Sequence, residues 1–260
     1  MELAITQANE DLGKIPQGTA EQIRQQAGEV DEELLKRISE IEAITGHVVQ
    51  SFVDAIRERL DKPLQQYFHQ HTTSTDTTET AQALIVSEAI EVILETAQEL
   101  SQAVKNKAEK YRALPKIGRT HTQHGAPSIE GLYFLWWHDT LIRRCDLIAQ
   151  AHEAFRVGKI RGLVGTYDQH ITPALEQLAL GSLGLKPVKV CGQIILRDRL
   201  ADLINNLAVL GGLLENMAVN IRLGAQTEIG EFSNPSRQGA KVLPTHRTNE
   251  TLTGVKTLRA

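Results

Sequence analysis

Three stretches of this chain carry apolar residues at the spacing of a helix buried along one side. From about Thr77 to Arg112 the stripe is Val86, Ile90, Ile93, Ala97, Leu100, Val104, Ala108 and Tyr111. The steps alternate between three and four, the period of an α-helix, and no Gly or Pro interrupts them. From about Arg197 to Gly230, Leu196, Leu200, Leu203, Leu207, Leu210, Leu214, Met217 and Ile221 form a heptad seam. Between them, about Ser128 to Val157 reads as a helix behind Pro127. Its opening run `IEGLYFLWW` is apolar nearly all round, which predicts deep burial. Gly131 is expected to be an early weak point in that helix.

The first part of the chain has a shorter rhythm. Helices are predicted at about 1–11, 19–27 and 31–60, broken by `GKIPQG` and by the region of Pro63. The pattern as a whole predicts an all-α protein. A small N-terminal helical domain over 1–75 precedes a long-helix bundle over 76–260. Helices of this length outrun a compact single core, so their seams are expected to be shared with other copies of the chain.

Composition narrows the partners. The 260 residues carry a net charge of -4, which calls for no nucleic-acid partner. No 18-residue apolar run is present, so no membrane span is expected. The N-terminus lacks a secretory pattern, and two lone cysteines, Cys145 and Cys191, read as free thiols of a cytoplasmic protein.

Candidate chemistry collects in the linkers. They are `YFHQHTTSTDTTET` (67–80), `KIGRTHTQHGAP` (116–127) and `SNPSRQGAKVLPTHRTNE` (233–250). Polar groups on loops held by rigid helices are the usual carriers of function. Thr73, Ser74 and Asp76 precede a long helix, where unpaired N–H groups favour an anion; simple helix capping explains them as well. His121 and His124 lie three apart in a segment bent by Gly118 and Pro127. A histidine there suits a general acid, or merely satisfies its neighbours. No third ligand accompanies the pair, so no metal is expected.

These segments together resemble the fumarase/aspartase superfamily, whose members cleave C–N or C–O bonds beside a carboxylate, and within it most closely the adenylosuccinate lyase branch. `GRTHTQHGAP` is similar to its Gly-Arg-Thr-His signature. `EIEAITGHVVQSFV` resembles its Glu-x-x-Thr-x-His-Asp-Val segment, with Val48 in place of Asp. `YFHQHTTSTDTTETA` resembles its Tyr-Val-His-x-Gly-x-Thr-Ser-x-Asp segment. `VGKIRGLVGTY`, Gln193, `RDRLAD` and `TEIGE` follow in the same order.

The resemblance implies the roles. His121 is the expected acid that protonates a leaving nitrogen, and His47 assists it. Thr73 and Ser74 bind succinyl carboxylates. His69 lies among nucleotide contacts, and Thr120 and Gln193 are further substrate contacts. It implies β-elimination of fumarate from a succinyl-amino compound of purine nucleotide biosynthesis, no cofactor, a small anionic substrate and a homotetramer. Chemically, such a reaction needs donors around a developing aci-carboxylate and an acid for the departing amine.

One segment departs from the pattern. The superfamily's mobile loop supplies a serine base, but `GAKVLPTHRTNE` has Ala240 and Lys241 where two serines stand. His246, near the position of a family lysine, is then the less demanding candidate base; Lys241 is a candidate substrate contact, and a base only where burial or nearby positive charge lowers its pKa strongly. The chain also ends soon after this loop. The alternative reading is therefore a non-catalytic or partner-dependent helical oligomer related to these lyases.

Overall fold

The computed structural model describes residues 1–233 together with 254–255. The chain forms two units. The first contains Met1–Leu94 and Ala149–Leu203, the second Glu95–Ile148 and the chain from Ile204 onward.

The first unit begins with five helices: α1 (Glu2–Asp11), α2 (Thr19–Ala27), α3 (Glu32–Thr45), α4 (Val48–Arg59) and α5 (Lys62–Gln65). The single helix expected over 31–60 is thus two. α3 ends at Gly46, and His47 caps α4 by accepting the Gln50 N–H on its ring. Ile23, Leu34, Val53, Ile56, Leu60 and Phe68 bury the apolar faces of this group in one core.

α6 (Ser74–Lys110) has 37 residues and is about 55 Å long at 1.5 Å per residue. Its buried seam is Ala83, Ser87, Ile90, Ala97, Ser101, Val104 and Ala108. Four of these belong to the apolar stripe of the sequence. The other three are small residues that let a neighbour approach, while Val86, Ile93, Leu100 and Tyr111 are only half-buried.

α7 (Glu130–Phe155) does not bury its start all round. Phe134 and Trp137 are buried, but Leu132, Leu135 and Trp136 are each more than half exposed. The expectation of deep burial therefore holds for one face only. Gly131 is no weak point either: a Cβ there would lie 2.7 Å from the Ala108 carbonyl oxygen, so it permits the close approach of α7 to the end of α6.

α8 (Pro173–Ser182) belongs to the first unit, where β3 (Val157–Gly158) pairs in parallel with β4 (Lys186–Pro187). α9 (Asp198–Gly224) buries Leu203, Leu210, Met217 and Gly224, one residue per heptad. The alternate series is open: Leu200, Leu207 and Ile221 are half-buried, and Leu196 and Leu214 exposed.

The segment expected to be a plain linker at 116–127 is an antiparallel hairpin of the second unit, β1 (Pro115–Thr120) with β2 (Gln123–Ile129). A last pair, β5 (Phe232–Ser233) with β6 (Gly254–Val255), is also antiparallel. Among the described residues no helix is long and apolar enough to cross a membrane.

Candidate active site

In the first unit two separate segments meet where α6 begins. His47, exposed at the start of α4, uses Nδ1 to accept the Gln50 backbone N–H at 3.1 Å. The proton of the neutral ring therefore sits on Nε2, which faces the Ser74 hydroxyl at 3.3 Å. Ser74 is the first residue of α6, beside the unpaired N–H groups and partial positive charge of a 37-residue helix. A carboxylate held here would meet hydroxyl, imidazole and backbone donors together.

Thr73, just before α6, gives its N–H to Asp76 Oδ2 at 3.1 Å, and Asp76 returns its N–H to the Thr73 carbonyl at 2.9 Å. This reciprocal cap fixes the turn that displays Ser74. The cap does not exhaust Asp76. Its carboxylate also takes the N–H groups of Arg161 and Gly162, each at 3.1 Å, and forms an ion pair with Lys159. Both side chains of that pair are wholly buried.

His69 lies deeper, with a left-handed backbone at φ 59°. Its Nδ1 is 3.1 Å from the buried Glu2 carboxylate and 3.0 Å from the Thr72 hydroxyl. Thr77 donates to the same Glu2 oxygen at 2.8 Å. A carboxylate only accepts, so Nδ1 is the donor of that contact. Next but one is His71, also left-handed at φ 62°, where the family pattern has glycine. Its ring stacks on that of His170 with centroids 3.8 Å apart. Gln193 is exposed in the 191–193 loop.

Thr120 and His121 belong to the second unit. The hairpin closes with only His121 and Thr122 between the paired Thr120 and Gln123. Both closing residues have positive φ, 51° and 59°, the signature of a type I′ turn normally made by Asn-Gly. His121 is exposed at the tip. The root of the hairpin is ionic. Lys116 lies between Glu130 at 2.9 Å and Glu231 at 3.1 Å and stands over the Tyr133 ring, and Arg119 reaches Glu231 at 2.5 Å. Sequence reasoning placed `TEIGE` in the motif order without a task; Glu231 holds the hairpin strand.

The structure thus brings His47, Thr73 and Ser74 together, with His69 on the same chain segment. Lys241, His246 and Ala240 lie outside the described residues. Sequence reasoning missed Glu2, Lys159 and Arg161, whose partners are far away in sequence. Among the described residues no group of three or more His, Cys, Asp or Glu is placed to hold a metal ion. Cys145 and Cys191 are free thiols, and burial pushes both up from the ordinary thiol range.

The fold is that of solved fumarate lyase superfamily structures. The fumarate lyase of Mesorhizobium sp. BNC1 superposes with a TM-score of 0.80 at 24% identity, over 90% of this chain and 55% of that one. The β-carboxy-cis,cis-muconate cycloisomerase of Acinetobacter calcoaceticus gives 0.81 at 25% identity, over 91% and 56%. In sequence, residues 1–249 match the family described as Lyase, and the chain belongs to that family. It is 38% identical over 262 residues to the adenylosuccinate lyase of Thermotoga maritima, covering 98% of this chain and 59% of the relative. The adenylosuccinate lyase of Aquifex aeolicus is 35% identical, with 96% and 57% covered. The chain therefore spans less than two thirds of the length of these curated relatives.

Proposed function

We propose that the chain is a C–N lyase of the adenylosuccinate lyase type, releasing fumarate from a succinyl-amino nucleotide. The observation that supports this most is the contact of His47 Nε2 with Ser74 Oγ at the N-terminus of α6. It supplies a built set of donors for a succinyl carboxylate, and the relatives named adenylosuccinate lyase add the nucleotide half of the substrate.

In this reading Thr73 and Ser74 hold a carboxylate, which favours the aci-carboxylate as the adjacent proton leaves. His121 protonates the departing nitrogen, and His47 assists. His69 contacts the nucleotide, and Thr120 and Gln193 are further substrate contacts. Lys241 or His246 takes the first proton. The setting is cytoplasmic purine synthesis, and the working form is a homotetramer. The exposed apolar positions of the long helices, Ile85, Trp136, Ile142, Val209 and Leu214 among them, support that association.

The test is adenylosuccinate cleavage followed by ultraviolet absorbance at several protein concentrations. Turnover that His121→Ala abolishes carries the proposal; absence of turnover rejects it. One observation favours a second reading, a non-catalytic relative that retains a ligand site: Ala240 and Lys241 replace the paired serines of the family loop. Saturable binding of AMP or a dicarboxylate without turnover is its signature.

A further inference from the structure

Asp76 does more than cap a helix. Capping uses one bond, from the Thr73 N–H to Oδ2 at 3.1 Å. Three further bonds tie the same carboxylate to another segment. Oδ2 accepts the Gly162 N–H and Oδ1 the Arg161 N–H, both at 3.1 Å, and Lys159 Nζ pairs with Oδ1. Thr80, one turn along α6, adds a bond to the Lys159 carbonyl at 3.1 Å. The 159–162 loop is therefore fixed to the first turn of α6 at several points.

The far side of that loop is fixed as well. Gly165, at φ +80°, lies against the 191–193 loop: a Cβ there would be 2.6 Å from the Gly192 carbonyl oxygen and 2.7 Å from that of Cys191. The first turn of α6, with Thr73 before it, and the 159–165 and 191–193 loops are thus stacked in sequence. The outer two carry Ser74 and Gln193. The stack also solves an electrostatic problem. A bare carboxylate two residues from Ser74 would repel an anion bound there, and Lys159 cancels its charge from the buried side.

We propose that the Asp76–Lys159 pair positions the dicarboxylate end of the site: it sets the separation of Ser74 and Gln193 and neutralises the ground beneath the bound anion. This rests on the reading of Ser74 as a carboxylate contact. Neither residue touches substrate; both act through Ser74, Gln193 and the loop amides.

The experiment uses the full chain, fumarate as the probe in calorimetry, and amide hydrogen exchange read by mass spectrometry. Asp76→Asn keeps the shape but leaves one acceptor oxygen and turns an NH₂ toward an N–H donor. The double variant Asp76→Asn/Lys159→Met removes the unpaired buried ammonium and so protects folding. In the double variant, whose summed charge equals that of the native pair, fumarate binding is expected to weaken at least tenfold. Exchange is expected to rise in the three stacked segments and to stay unchanged in α3 and α4. Fumarate affinity that survives while the loops open overturns the inference, as does exchange rising throughout the unit, which marks general loosening. Wild-type chain that fails to bind fumarate at all overturns the carboxylate reading of Ser74 itself, and the positioning role falls with it.

Discussion

Arg161 grips Glu176 with two N–H groups, Nε to Oε1 at 2.9 Å and Nη2 to Oε2 at 3.1 Å, in a part of the first unit where both side chains are buried. The same carboxylate takes the Ile160 N–H at 3.0 Å and the Tyr167 hydroxyl at 2.5 Å. Burial first, and then this bond to Glu176, push the Tyr167 phenol up to about 12. Glu176→Gln leaves a buried guanidinium without its counter-charge. The expected loss is about 3–5 kcal/mol in urea unfolding. Tyr167 is expected to ionise at lower pH in that variant, read by its ultraviolet titration. An unaltered titration would show that the carboxylate is not what restrains the phenol.

Gly165→Ala is expected to cost roughly 2–4 kcal/mol. One part is the strain of a side chain at φ +80°, the other the displacement of the Cys191 and Gly192 carbonyls. Thermal melting checks the total. Ala at Gly192, where a Cβ meets nothing within 4 Å, is the control and is expected to leave the melting temperature nearly unchanged.

His152 gives the first unit a pH dependence. It is buried, its Nε2 has no hydrogen-bond partner among the described residues, and burial followed by Arg156 holds its pKa below the ordinary value of 6.5. Glu91 and Glu153 pull the other way and do not reverse it. The unfolded chain then takes up the proton before the folded one. Stability contributed by this group therefore falls as pH drops below about 6.5 and levels off once the folded form is protonated too. His152→Leu is expected to flatten that slope and to add on the order of 1 kcal/mol at neutral pH by removing an unpaired nitrogen. Urea melts at pH 7.5 and 5.5 measure both effects.

The open half of the α9 heptad predicts assembly. Leu207→Asp with Leu214→Asp places two charges on the series left uncovered in one chain. Light scattering is expected to show the mass falling toward that of a single chain. A mass unchanged by both substitutions would remove α9 from the interface.

Ser74→Ala deletes one hydroxyl from the proposed carboxylate contact and nothing from a core. Hydrogen bonds to a charged group are worth roughly 1.5–3 kcal/mol, so fumarate affinity is expected to fall about ten- to a hundredfold with melting unchanged.

The long helices were legible because their apolar period continues for many turns. The predicted 77–112, 128–157 and 197–230 correspond to Ser74–Lys110, Glu130–Phe155 and Asp198–Gly224. Which residues face inward was less legible, since the small polar Ser87 and Ser101 are buried in the α6 seam where an apolar pattern does not mark them. The β1–β2 hairpin was hidden: `GRTHTQHGAP` has no apolar alternation, and its turn uses His121-Thr122 in place of the glycine that would have announced it. The pairing of Asp76 with Lys159 spans 83 residues, and no local pattern encodes it. His47 and Ser74, 27 apart, came from motif resemblance; their contact came from the break between α3 and α4.

The hairpin that ends in His121 is braced along its length by one carboxylate. Glu231 pairs with Lys116, about 15 Å from the tip along the strand, and with Arg119, only about 7 Å from it. Substitutions at Glu231 therefore loosen the strand at two points at once and can re-aim the imidazole from outside the hairpin, so a search for variants with changed selectivity has its best leverage there.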